Sequence, residues 1–216
     1  MATLQATLTP TADPTPVAVS VSTDEPSGAQ WVARFLGSAN VTSLASPFRE
    51  AVTKYLDAVR AAGGTVHISA TYRPPERAYL MHWSWKIVKT GYDPQQVPSY
   101  PGDVIKIQWA HTSESGAFDQ QASVQAARAM VNGYGISGLN VAPALNSRHT
   151  QKQAIDMNIS WSGTLIINNA SGTAVTISSD PKTGMNSELH TVGATYGVIK
   201  FVGGNSDKPH WSNDGH

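Results

Sequence analysis

The residues most capable of chemistry fall in two short segments of this 216-residue chain. The first, Ser147-Arg-His149-Thr-Gln-Lys-Gln-Ala154-Ile-Asp156, sets a histidine and an aspartate seven positions apart. A loop running into a strand can fold that spacing back so that both side chains face one point. The second, Asp207-Lys-Pro-His210-Trp211, brings another histidine with an acid three positions before it. Imidazole and carboxylate are the donors zinc takes where no thiolate exists, and this chain has no cysteine. His149, Asp156 and His210 therefore form a candidate ligand set, with Asp207 a carboxylate left beside it. Three protein ligands and an open fourth position mark a catalytic rather than a structural zinc site.

These residues need elements to hold them. From Ser46, SPFREAVTKYLDAVRAAGG spaces Phe48, Val52, Tyr55, Leu56 and Val59 by three and four. That spacing predicts an amphipathic helix, with Ser46 as N-cap and Gly63–Gly64 as its stop. TVHISATYR is β-branched and alternating, and predicts a strand that delivers Arg73 at its C-terminal end. Pro74 and Pro75 break that strand, and ERAYLMHWSWKIVKTG predicts a helix closed by Gly91. A Pro/Gly/Tyr-rich loop follows, then DQQASVQAARAMVN, a helix capped by Asp119. Beyond Gly133, AIDMNISW, TLIINN and TAVTIS are short β elements, the last two joined by an Asn-Ala-Ser-Gly hairpin turn. GMNSELHTVGATYG predicts one more helix and VIKFVGG another strand. Helices first and antiparallel strands later predict an α+β domain, a small antiparallel sheet flanked by helices.

Composition narrows the partners. Fifteen basic and 15 acidic residues cancel, and 14% of residues are charged, so no strong field exists to gather nucleic acid. No stretch reaches the roughly 18 apolar residues of a membrane span, so no membrane insertion is expected. The first residues lack a basic region followed by an apolar run, so the chain is expected to have no signal peptide and to be made in the cytoplasm. Residues 1–30, rich in Thr, Pro, Ala and Ser, are expected to form an extended or disordered arm ahead of one globular unit, 31–216.

The two segments resemble the motifs of the zinc D-Ala-D-Ala carboxypeptidase family, which includes vancomycin-resistance D,D-dipeptidases and phage endolysins that cut L-alanyl-D-glutamate bonds. Ser147, His149, Ala154 and Asp156 match its Ser-x-His-x-x-Gly-x-Ala-x-Asp motif in register. Asp207, His210 and Trp211 match the second motif, and Arg73 in ATYRPPERAYL matches an Arg that closes a strand ahead of a helix. Lys152 stands where the family usually has Gly, which predicts a differently shaped turn between the first two ligands. The resemblance implies a Hedgehog/D,D-peptidase-like fold over residues 31–216 and one zinc ion on His149, Asp156 and His210. It implies hydrolysis of peptidoglycan stem peptides by a zinc-activated water, as a carboxypeptidase or endopeptidase, in the setting of phage lysis or a virion. Asp207 then acts as general base and acid, Arg73 steadies the developing oxyanion, and Ser147 binds substrate or supports a ligand.

Other residues have simpler readings. His67, His82, His111, His190 and His216 fit no motif and are assigned to strand or helix faces, a loop and a frayed end. Tyr79, Trp83, Trp85 and Trp109 are more simply a helix packing its aromatics than a ligand groove. The rival to an enzyme is a structural or binding module that keeps the fold without catalysis.

Overall fold

The computed structural model describes residues 24–216. Along the chain it forms β1 (Glu25–Pro26), α1 (Phe48–Ala61), β2 (Thr65–Ala70), α2 (Pro75–Thr90), β3 (Ile107–Gln108) and α3 (Gln120–Gly133). There follow β4 (Ala154–Ser160), β5 (Leu165–Asn168), β6 (Ala174–Ile177), α4 (Ser187–Thr195), β7 (Ile199–Lys200) and β8 (His210–Ser212). The class is α+β, as the order of patterns predicts. The central sheet runs β2-β4-β8-β7, every neighbour antiparallel.

Alternation along β4 separates core from site. Ile155, Met157 and Ile159 point to one face and are buried, while Asp156, Asn158 and Ser160 point to the other. The covered face packs on α1 through Val52, Tyr55, Leu56 and Val59, on α4 through Leu189 and Val192, and on the β5–β6 hairpin. β8 repeats the division at its first two residues. Trp211 is wholly buried in that core, and His210 emerges opposite. Burying such side chains contributes about 1.5–3 kcal/mol each, so the apolar face fixes the position of the polar one.

A second apolar cluster joins α2 to α3. Tyr79, Leu80, Trp85 and Trp109 pack there with Met130 and Val131, so the aromatics serve as core. Most of the long connection between α2 and β4 is spent on this cluster.

Several expectations are corrected. Ser46 does not cap α1: Pro47 holds the N-cap position, and the Ser46 hydroxyl donates to Glu50 at 2.7 Å. Of the arm expected over residues 1–30, residues 1–23 lie outside the described residues. Residues 24–30 are not an arm, because β1 pairs with β3 and the next turn seats Trp31 in the second core. The β5–β6 hairpin forms with the expected Asn169–Gly172 turn but stays outside the central sheet. Among the described residues, no helix is long and apolar enough to cross a membrane.

Candidate metal centre

The face of β4 and β8 opposite the apolar core carries the site. Asp156 and His210 are direct cross-strand partners, which sets their side chains next to each other. On the opposite flank the β2–β4 register shifts between Ile68 and Ala70, so that Ala70 stands against Asp156. Such an irregularity re-aims the chain beside a site. Three residues past β2, the Arg73 amide donates to the His149 carbonyl at 3.3 Å. That bond ties the end of the β2 segment to the turn bearing the first histidine.

The turn itself is built by hydroxyls and one unusual backbone. Thr150 Oγ1 accepts from the Ser147 amide at 2.9 Å and donates to the Ser147 carbonyl at 2.8 Å. The Gln151 amide donates to that same carbonyl, and the Lys152 amide to the carbonyl of His149. Lys152 adopts φ 62°, the left-handed conformation that glycine enters without a steric cost. This lysine takes the backbone glycine favours, its ammonium 4.8 Å from the centre of the Tyr72 ring. Lys152→Gly is expected to stay within about 1 kcal/mol of wild type, because relief of the left-handed cost offsets the lost entropy and cation–π contact. Lys152→Val, at this exposed position, is expected to lose about 1–2 kcal/mol more, since a β-branched residue tolerates that backbone poorly. Urea melts of the pair decide it, and equal stabilities would contradict the strained-turn account.

Three donor atoms converge. His149 Nε2 and His210 Nδ1 each lie 3.1 Å from Asp156 Oδ1, and 3.2 Å from each other. A tetrahedral ion with bonds of about 2.0–2.2 Å needs ligand atoms roughly 3.3–3.6 Å apart. The trio is thus within a few tenths of an ångström of the required spacing. Without an ion it is poorly satisfied, since two nitrogens crowd one oxygen and face each other. A cation accepts all three lone pairs at once. The group can hold a metal ion, and the donor types fit zinc. His210 Nε2 meets the His216 carbonyl at 3.2 Å, which places a proton on that nitrogen and leaves Nδ1 free as a donor.

Electrostatics agree with the geometry. Burial opposes the Asp156 carboxylate, but hydrogen bonds and charge from His149 and His210 outweigh it and hold the carboxyl well below its usual range. Burial likewise opposes the His210 cation, yet the Asp156 hydrogen bond and charge raise it above the ordinary histidine value. In the metal-free chain, the Asp156 contribution to stability is present above about pH 4 and is lost as pH falls through its depressed folded pKa. The His210 contribution is complete below about pH 6.5 and is lost as pH rises through its elevated folded pKa. In the metal-free chain Asp156 and His210 together therefore stabilise most between about pH 4 and 6.5. Zinc needs unprotonated imidazoles, so the rise in Tm on adding zinc is expected to grow from about pH 6 to 8. Thermal melts with and without zinc test this, and an increment flat across that interval would remove the histidines from the ligand set.

The donors floor a cleft of about 730 Å³. Arg73, Asp207 and Ser147 line the same cleft, so all six candidate site residues reach it. Asp207 Oδ2 stands 4.0 Å from His210 Nδ1 and is about half exposed. Burial and the Asp156 charge raise its pKa, a shift that suits a proton acceptor. Arg73 makes no ion pair among the described residues. Ser147 lines the wall, its hydroxyl accepting a long bond from the Thr150 amide at 3.4 Å. The opposite wall is apolar and comes from Ile136, Leu139, Val141, Pro143 and Ala144.

Three supports escaped the sequence reading. Lys200, buried, donates from Nζ to the carbonyls of Asp207 and His210 at 3.2 and 2.9 Å, pinning both residues to one hairpin. Arg148, beside the first histidine, forms a two-pronged ion pair with Asp214. Asp214 Oδ1 also accepts from the His216 amide at 3.1 Å, so His216 is held against the site rather than frayed. A lysine in a strand and an aspartate near the last residue carry no local signal of these long-range roles. Compared against protein-family models, curated proteins and solved structures, the chain matches none.

Proposed function

We propose that the chain is a zinc metallopeptidase that hydrolyses peptidoglycan stem peptides, with a Hedgehog/D,D-peptidase-like fold and the activity type of phage endolysins. One observation carries the reading: a three-donor group, a carboxylate outside it and a guanidinium with no ion pair among the described residues share one cleft. A purely structural metal site has no need of the last two. The stem-peptide substrate comes from the resemblance of the motifs and their order, Arg73, His149, Asp156, Asp207 and His210.

Zinc held by His149, Asp156 and His210 would supply Lewis-acid polarisation of a carbonyl and a water that ionises near pH 7. The chain's own groups do the rest. Asp207, beside His210, takes the water proton and returns it to the leaving amine. Arg73 faces negative charge as it develops on the carbonyl oxygen, and makes no ion pair among the described residues. The apolar wall from Ile136 to Ala144 keeps water from the peptide's side chains.

Mass spectrometry of synthetic stem peptides incubated with the zinc-loaded chain tests the reading. Loss of a terminal D-Ala identifies a carboxypeptidase, and cleavage after L-Ala an endopeptidase. Zinc bound in full with all peptides intact would favour the non-catalytic module.

A further inference from the structure

A second cavity, of about 390 Å³, adjoins the metal cleft and shares Arg73, Met81 and His149 with it. Its other walls come from residues 36–39, from Ser69, Ala70 and Tyr72, and from Arg77 in the first turn of α2. Two guanidiniums line this space and no carboxylate does. Neither arginine makes an ion pair among the described residues. The acid in the same turn, Glu76, is engaged with the Tyr100 hydroxyl.

Arg77 is placed with care. Its guanidinium lies 4.7 Å from the centre of the Tyr134 ring, and one N–H donates to the Val32 carbonyl at 3.2 Å. The rest of its planar fork is left for a ligand. Lys152 adds a third cation over Tyr72, which also lines the cavity.

We propose that this cavity is a subsite for a substrate carboxylate, gripped by Arg77 and by the side of Arg73 turned away from the metal centre. Assigning the anion to substrate rests on the peptidase reading, because the anionic groups of a peptide are carboxylates. A paired guanidinium fork matches a carboxylate in two parallel hydrogen bonds, and the volume admits the group with a short carbon stem. A peptide whose scissile bond lies over the metal centre would reach the subsite through the shared wall at Arg73.

The test uses the metal-free full chain, so that an anion has no metal to bind. Calorimetric titration with glutarate, its dimethyl ester and inorganic phosphate is compared for wild type, Arg77→Met and Ala39→Trp. Ala39 is exposed on the cavity lining, so the tryptophan fills the space without disturbing a packed residue. Glutarate is expected to bind wild type, its diester not, and each variant is expected to weaken glutarate about tenfold. Both variants should still take up zinc. Equal binding of acid and ester, undiminished glutarate binding in either variant, or phosphate preferred over glutarate would overturn the subsite. Zinc uptake and peptide cleavage are scored separately on the same preparations, so the peptidase reading can fail without deciding the anion result.

Discussion

About one zinc per chain is expected after reconstitution of wild type, and none above background in His149→Ala or His210→Ala. Each substitution removes one of three donors whose atoms now stand 3.1–3.2 Å apart. Two remaining donors lose the closed triangle that makes the site selective for a small cation. The fold should survive in both variants. His210 is neighboured by Trp211, whose buried ring anchors β8, and His149 sits on a turn held by backbone and hydroxyl bonds. Zinc at a thousandfold excess over its Kd stabilises by about 4 kcal/mol, so a chelator should lower the Tm of wild type and leave the variants unmoved. Metal analysis with melting curves reads both effects. Zinc retained in both variants, or never taken up by wild type, would remove the mechanism.

The site was legible because its chemistry is local in sequence. The His149-to-Asp156 spacing and the acid before His210 each lie within one short segment, and the alternation of β4 already put Asp156 on the face opposite Ile155 and Met157. The helices were legible for the same reason: Val52, Tyr55, Leu56 and Val59 in α1 are all buried, as their spacing predicts. Among the elements of two or three residues, β7 was legible in VIKFVGG, but β1, β3 and β8 were not. β3 and β8 have no periodicity to detect, and they exist because partners pair with them. Ser46 has the right type for a cap, but the helix begins one residue later than a serine cap requires. The supports of the site join distant positions, Arg148 to Asp214 and Lys200 to the carbonyls of Asp207 and His210. The arginine pair at the second cavity was half legible. Arg73 stood in a motif, whereas Arg77 gains meaning only once α2 and residues 36–39 enclose a space with it.

Asp207→Ala is expected to abolish most peptide cleavage while leaving zinc bound. Asp207 lies outside the donor triangle, 4.0 Å from His210 Nδ1, so its removal takes away no ligand. Its backbone is held independently, by the carbonyl contact with Lys200. A positioned general base contributes about 10²–10⁴ in rate, so kcat should fall by that factor with KM little changed. Asp207→Asn keeps the shape but not the proton acceptor, and should fall as far. The acid limb of the pH–rate profile gives a second reading. Burial raises the Asp207 pKa while a zinc ion on Asp156 would cancel the Asp156 contribution, so cleavage should decline as pH falls and the Asp207 carboxylate becomes protonated. A variant that keeps zinc and loses the rate places Asp207 at the proton transfer. Full cleavage by Asp207→Ala with zinc bound would move the base elsewhere in the cleft, and loss of zinc from both variants would make Asp207 a ligand rather than a base.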